Sequence, residues 1–124
     1  MHTGEQEQRE RQAALQQALR REVNERRWAD CRDAEVIELV CECSDPSCHE
    51  VVLLSSDEYE FIRRVPIRLI VRADHVHLES ERVMIEEPGR FAVVEKFGPA
   101  REVVAHLDPR GPRRTKVAPS RGDS

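Results

Sequence analysis

The stretch Cys41-Glu42-Cys43-Ser44-Asp45-Pro46-Ser47-Cys48-His49-Glu50 gathers three of the chain's four cysteines and one of its five histidines. On an extended strand, side chains two positions apart share a face, so Cys41 and Cys43 point the same way with Glu42 turned aside. Asp45-Pro46 suits the first two positions of a type I turn, because proline presets φ and aspartate bonds the backbone ahead of it. That turn folds Cys48 back beside the other two. Thiolate sulfurs sit ~2.3 Å from a zinc ion and hence roughly 3.8 Å from one another, a spacing that a hairpin tip of this kind supplies. A tetrahedral ion then needs one more ligand, from another segment.

Four histidines follow this strand: His49, His75, His77 and His106. His49 adjoins Cys48, and neighbouring side chains on an extended segment point to opposite faces. His75 is better placed. It follows a strand predicted over residues 67–72, at a turn opened by Asp74, a residue that tolerates the left-handed conformation. A ligand there closes a loop of 26 residues between Cys48 and His75, the kind of clip that a small core uses. His77 is the alternative if the chain beyond Asp74 turns back over the cysteines. The expected metal set is therefore Cys41, Cys43, Cys48 and His75, with Zn2+ as the cofactor. Cys31 stands apart and is expected to be a plain free thiol.

Working outward, Glu35 to Cys43 alternates as a strand, with Ile37, Leu39, Cys41 and Cys43 on one face and Glu38 and Glu42 on the other. Residues 50–54 return as its hairpin partner. Ser55-Ser56-Asp57-Glu58 fits a capping box opening a helix that runs to about Arg64 and stops before Pro66. Residues 67–71 form a third strand. Residues 81–86 and 91–96 flank Pro88-Gly89 as a hairpin, and Pro99 opens a short helix through His106. Ahead of all this, residues 5–28 lack Gly and Pro and repeat Ala14/Leu15, Ala18/Leu19 and Val23 at three- and four-residue steps, which predicts a helix with a thin apolar stripe. So polar a helix needs a surface to lie on, either its own domain or a second copy in a homodimer. The expected fold class is α+β: an N-terminal helix, then a small zinc-stapled antiparallel sheet with one or two short helices.

Composition supports a staple. The chain has 124 residues with 39% hydrophobic, 35% charged and only 4% aromatic residues, so its core is small and aliphatic. Charge divides it into three. Residues 1–33, the helical arm, balance seven Arg against seven Asp/Glu; residues 34–108, the zinc-binding α+β domain, hold eight basic against sixteen acidic residues; residues 109–124, a basic tail rich in Pro and Gly, hold five against one. The tail reads as disordered. The acidic middle argues against a folded nucleic-acid-binding face, leaving the tail as a weak candidate for that role. No stretch approaches a membrane span, and the polar residues 1–10 lack the apolar run of a secretory signal, so a cytoplasmic location is expected. In a reducing compartment clustered cysteines are more often metal ligands or redox groups than disulfides.

Catalytic constellations are missing from the sequence: it has no HExxH, no HxE paired with PCxxC, no serine elbow and no phosphate-cradling glycine loop. A closed three-thiolate, one-histidine set leaves no position for water. These features predict a non-enzymatic zinc module that binds another protein, with Glu58, Glu60 and Arg63 as exposed candidates on the second helix. The competing prediction is a thiol-based redox or metal sensor, which requires a reactive, accessible Cys41 or Cys43.

Taken together, Arg21-Glu22-Val23-Asn24-Glu25-Arg26, Cys41-Glu42-Cys43 with Asp45-Pro46 and Cys48, Glu58-Tyr59-Glu60 with Arg63, His75, Val93-Val94-Glu95-Lys96 and Asp108-Pro109-Arg110 resemble a family of small, uncharacterised bacterial proteins over about residues 20 to 110. The resemblance implies His75 as the fourth ligand and brings no activity. Ser44 and Asp74 stand where a glycine is common in similar proteins, and His49 where a threonine is common.

Overall fold

The computed structural model describes residues 3–110. Helix α1 spans Thr3–Asp30, about 42 Å at 1.5 Å per residue. The hairpin β1 (Ile37–Val40) and β2 (Val51–Leu54) follows, then α2 (Ser56–Arg63), β3 (Arg68–Val71) and a 3-10 turn at Ala73–His75. The hairpin β4 (Glu81–Glu87) and β5 (Phe91–Lys96) leads to α3 (Pro99–His106). The fold is α+β, with β1 and β2 paired antiparallel and a second antiparallel sheet in the order β3-β5-β4. The charged tail expected over residues 109–124 lies outside the described residues from 111 onward. Among the described residues no helix is long and apolar enough to cross a membrane.

Local chemistry accounts for the boundaries. Ser55 Oγ accepts from the Glu58 N–H at 3.1 Å and Glu58 Oε1 accepts from the Ser55 N–H at 2.8 Å, the reciprocal pair that starts α2. Pro99 occupies the first turn of α3, where a missing N–H costs nothing. Gly89 turns the β4–β5 hairpin at φ +78°, a conformation that side chains rarely adopt.

Strands β3 and β5 are buried on both faces, which is why Leu69-Ile70-Val71 and Phe91-Ala92-Val93-Val94 read as unbroken apolar runs. One face packs Leu69, Val71, Ala92 and Val94 against Ala14, Ala100, Val104 and the cysteines Cys41 and Cys43. The opposite face packs Ile70, Phe91 and Val93 against the first hairpin, Tyr59 and Ile62. The half of the core that carries Cys41 and Cys43 and the half that carries Tyr59 and Ile62 thus share one sheet.

Strand β1 is shorter than the expected 35–43. The Cys41 N–H still bonds the Glu50 carbonyl at 3.0 Å, but the next N–H, that of Glu42, goes to the Ile70 carbonyl of β3 at 2.8 Å. Glu42 Oε1 in turn accepts the Ile70 N–H at 2.9 Å, so a carboxylate stands in for a backbone carbonyl and joins the two sheets. Its other oxygen accepts from Asn24 Nδ2 at 2.7 Å and pairs with the buried Arg63 guanidinium. A buried carboxylate is sustainable only with such a set of donors.

Helix α1 turns a polar stripe toward β1. Gln17, Arg20, Asn24 and Arg27, spaced to share a helix face, donate to the carbonyls of Glu42, Cys41, Val40 and Glu38 at 2.9, 3.2, 2.8 and 3.0 Å. Running antiparallel to the strand, they satisfy the edge that β1 would otherwise leave open. Ala14 and Ala18 are buried beside them, whereas Leu15, Leu19 and Val23, expected on the packing stripe, are exposed. The small and polar side chains let the helix approach the strand closely enough for these bonds.

Candidate metal centre

Two segments build the centre. The Asp45 side chain accepts from the Ser47 N–H at 2.9 Å and its carbonyl from the Cys48 N–H at 3.1 Å, so the turn closes and returns Cys48 toward Cys41 and Cys43. The 3-10 turn after β3 brings in His75, its N–H bonded to the Arg72 carbonyl at 2.9 Å. Farther along, Glu81 Oε1 accepts the His77 N–H at 2.7 Å, and Glu81 is itself held by buried Lys96 at 3.2 Å. Gln17 Nε2 donates both to the Glu42 carbonyl and, at 2.8 Å, to Glu81 Oε2, tying the cysteine segment to the anchor of the histidine loop.

The ligand atoms of Cys41, Cys43, Cys48 and His75 all lie within 4.8 Å of one another, a group that could hold a metal ion. His75 Nδ1 is 3.5 Å from both Cys41 Sγ and Cys48 Sγ. A tetrahedron with zinc–sulfur and zinc–nitrogen bonds of about 2.3 and 2.0–2.1 Å has a sulfur-to-nitrogen edge of about 3.5 Å. Hydrogen bonding alone accounts poorly for the convergence, because one imidazole nitrogen offers one lone pair or one proton and cannot serve two thiols fully. Nε2 of the same ring lies 3.7 Å from Asp74 Oδ1. His49 and His77 are exposed and outside this group, and Cys31 is an exposed free thiol.

Each sulfur also has an N–H directed at it: Arg72 N–H to Cys41 at 3.2 Å, Glu50 N–H to Cys48 at 3.5 Å, and Arg20 Nη1 to Cys43 at 3.8 Å. Such donors favour the thiolate, the form that binds metal. Cys43 is pulled well below the ordinary thiol range, first by the hydrogen bond from Cys41, against the opposing effect of burial. Cys41, the donor of that bond and itself buried, is driven up. A coordinated divalent cation would deprotonate both sulfurs.

Arg63, expected on an exposed charged face with Glu58 and Glu60, is 1% exposed and neutralises Glu42. Glu58 pairs with Arg90 at 3.1 Å and Glu60 with Arg110 at 3.0 Å. That face of α2 is thus tied to its own domain. Glu42, Gln17, Arg20 and Asn24 are the residues around the centre that sequence reasoning passed over. The helical spacing of Gln17, Arg20, Asn24 and Arg27 was the available signal, but polar side chains at that spacing ordinarily mark a solvated face.

Comparison of the chain with protein-family models, with curated proteins and with solved structures finds no match. The chemistry of the centre is therefore read from its own geometry.

Proposed function

We propose that the chain is a non-enzymatic zinc module, cytoplasmic, in which Cys41, Cys43, Cys48 and His75 hold one structural Zn2+. The observation that carries this reading is the convergence of three sulfurs from one hairpin and one imidazole from a separate loop within 4.8 Å. Four protein ligands fill a tetrahedral ion and leave no position for substrate or water. The ion clips the hairpin tip to the β3–β4 connection, at the margin of the core face formed by Leu69, Val71, Ala92 and Val94. Burial favours a structural role over a sensor, since Cys41 and Cys43 are 1% and 3% exposed.

Such a module acts by binding. Leu15, Leu19 and Val23 form an exposed apolar line on α1, and the partner we assign to it is a second copy of this chain. Arg11 and Glu22, both exposed, flank the leucines so that an antiparallel copy with Leu15 against Leu19 brings Arg11 to within one residue of Glu22, twice, about one two-fold axis.

Peroxide and sedimentation test the two halves. Zinc retained under mild peroxide until the protein unfolds supports the structural role, whereas release with reversible pairing of Cys41, Cys43 or Cys48 establishes the sensor instead. A concentration-dependent dimer abolished by Leu19→Glu supports self-association. A chain monomeric at all concentrations contradicts it and leaves the face to a different protein.

A further inference from the structure

Three thiolates and a neutral imidazole around a divalent cation leave one net negative charge, close to the low-dielectric core. Among the described residues, Arg20 is the side-chain cation that bonds a ligand sulfur. Its Nη1 reaches Cys43 Sγ at 3.8 Å and the Cys41 carbonyl at 3.2 Å, while Nη2 reaches the Pro46 carbonyl at 3.3 Å. One planar guanidinium thus spans both sides of the loop that carries the sulfurs, a geometry that a lysine ammonium cannot reproduce. It comes from α1, which supplies no ligand.

We propose that Arg20 is a positioning and charge-compensating residue of the metal centre, which makes helix α1 a working part of that centre. The inference rests on the zinc reading above. Held by two carbonyls, the guanidinium keeps the loop between Cys41 and Cys48 in its coordinating shape and offsets the excess negative charge at Cys43. A thiolate relieved of charge in this way is a weaker nucleophile toward external electrophiles, and the ion is held more tightly. Arg27 provides an internal control. It lies two turns along the same stripe and bonds the Glu38 carbonyl at 3.0 Å, with no sulfur in reach.

The test compares the full chain with Arg20→Gln, Arg20→Lys and Arg27→Gln in two assays: zinc affinity by competition with a chromophoric chelator, and the rate at which iodoacetamide alkylates the zinc-loaded protein. Arg20→Gln is expected to weaken zinc binding by about tenfold or more and to speed alkylation at Cys43. Arg20→Lys keeps the charge but loses the fork, so affinity falls while alkylation stays slow. Arg27→Gln keeps the parent's values in both assays. Parent-like affinity and alkylation in Arg20→Gln, or an equal loss in Arg27→Gln, overturns the inference while leaving the zinc site standing. A parent chain that takes up no zinc overturns both. Should Arg20→Gln fail to fold, Arg20→Lys decides alone, and parent-like affinity there counts against the proposal.

Discussion

Asn24 closes both backbone groups of Val40: its Nδ2 donates to the Val40 carbonyl and its Oδ1 accepts the Val40 N–H, each at 2.8 Å. One amide side chain thereby does for β1 what a neighbouring strand would do, and the same Nδ2 also donates to Glu42 Oε2 at 2.7 Å. Asn24→Ala leaves these groups without partners and is expected to cost about 1–3 kcal/mol. Asn24→Asp, close to isosteric, is expected to cost at least as much, because a carboxylate cannot donate and would repel Glu42. Urea unfolding of the two variants checks this; a stable Asn24→Asp would mean that shape, not hydrogen bonding, holds the helix to the strand.

Glu42 and Arg63 are both fully buried and paired. Removing one charge strands the other, so Glu42→Ala is expected to lose about 3–5 kcal/mol. Adding Arg63→Met to it should recover part of the loss, since the unpaired guanidinium then disappears. A double variant less stable than Glu42→Ala would show that the pair is not the source of the penalty.

Much of the fold was legible because its signals are local. The Ser55–Glu58 box, Pro88-Gly89, Pro99 and the apolar runs of β3 and β5 each act within a few residues, and each lies where expected. The loop carrying His75 follows β3 as expected, but its turn is a 3-10 turn over Ala73–His75 capped at Arg72 rather than a left-handed turn opened by Asp74. Helix α1 differs from the expectation in its faces: hydrophobic periodicity assigns Leu15, Leu19 and Val23 to the inside, whereas the buried stripe is made of Gln17, Arg21 and Asn24 with two alanines. Those side chains are buried for their partners, Arg21 for example donating to the carbonyls of Pro66 and Val104 at 2.8 and 2.7 Å. Partners so distant in sequence leave no periodic trace. Glu42 escaped for the same reason, since alternation with two cysteines put it on the outer face of a strand that in fact ends before it.

Arg110 fixes the end of the described chain. It forms a two-nitrogen contact with Glu25, the shorter at 2.7 Å, reaches Glu60 at 3.0 Å, and lies 4.7 Å over the Trp28 ring. Arg110→Ala is expected to cost about 1–2 kcal/mol, a fall in Tm of roughly 5–10 °C. A chain ended after Arg110 should melt like the full one, because residues 111–124 have almost nothing apolar to bury. A loss of several degrees on that truncation would show that the basic tail docks on the acidic domain.

The three candidate histidines separate by substitution. His75→Gln is expected to weaken zinc binding strongly, while His49→Gln and His77→Gln, which are exposed and outside the converging group, are expected to bind as the parent does. Competition with a chromophoric chelator measures all three. Parent-like affinity in His75→Gln together with a loss in either of the others would transfer the fourth ligand.

The most direct measurement is metal content and melting temperature of one preparation before and after complete chelation. About one zinc per chain is expected, with a large fall in Tm once it is removed, because binding to a site absent from the unfolded chain contributes directly to folding. Cys43→Ser should lower zinc content and Tm together. Iron in place of zinc, or a Tm unchanged after all metal has gone, would contradict a structural zinc centre.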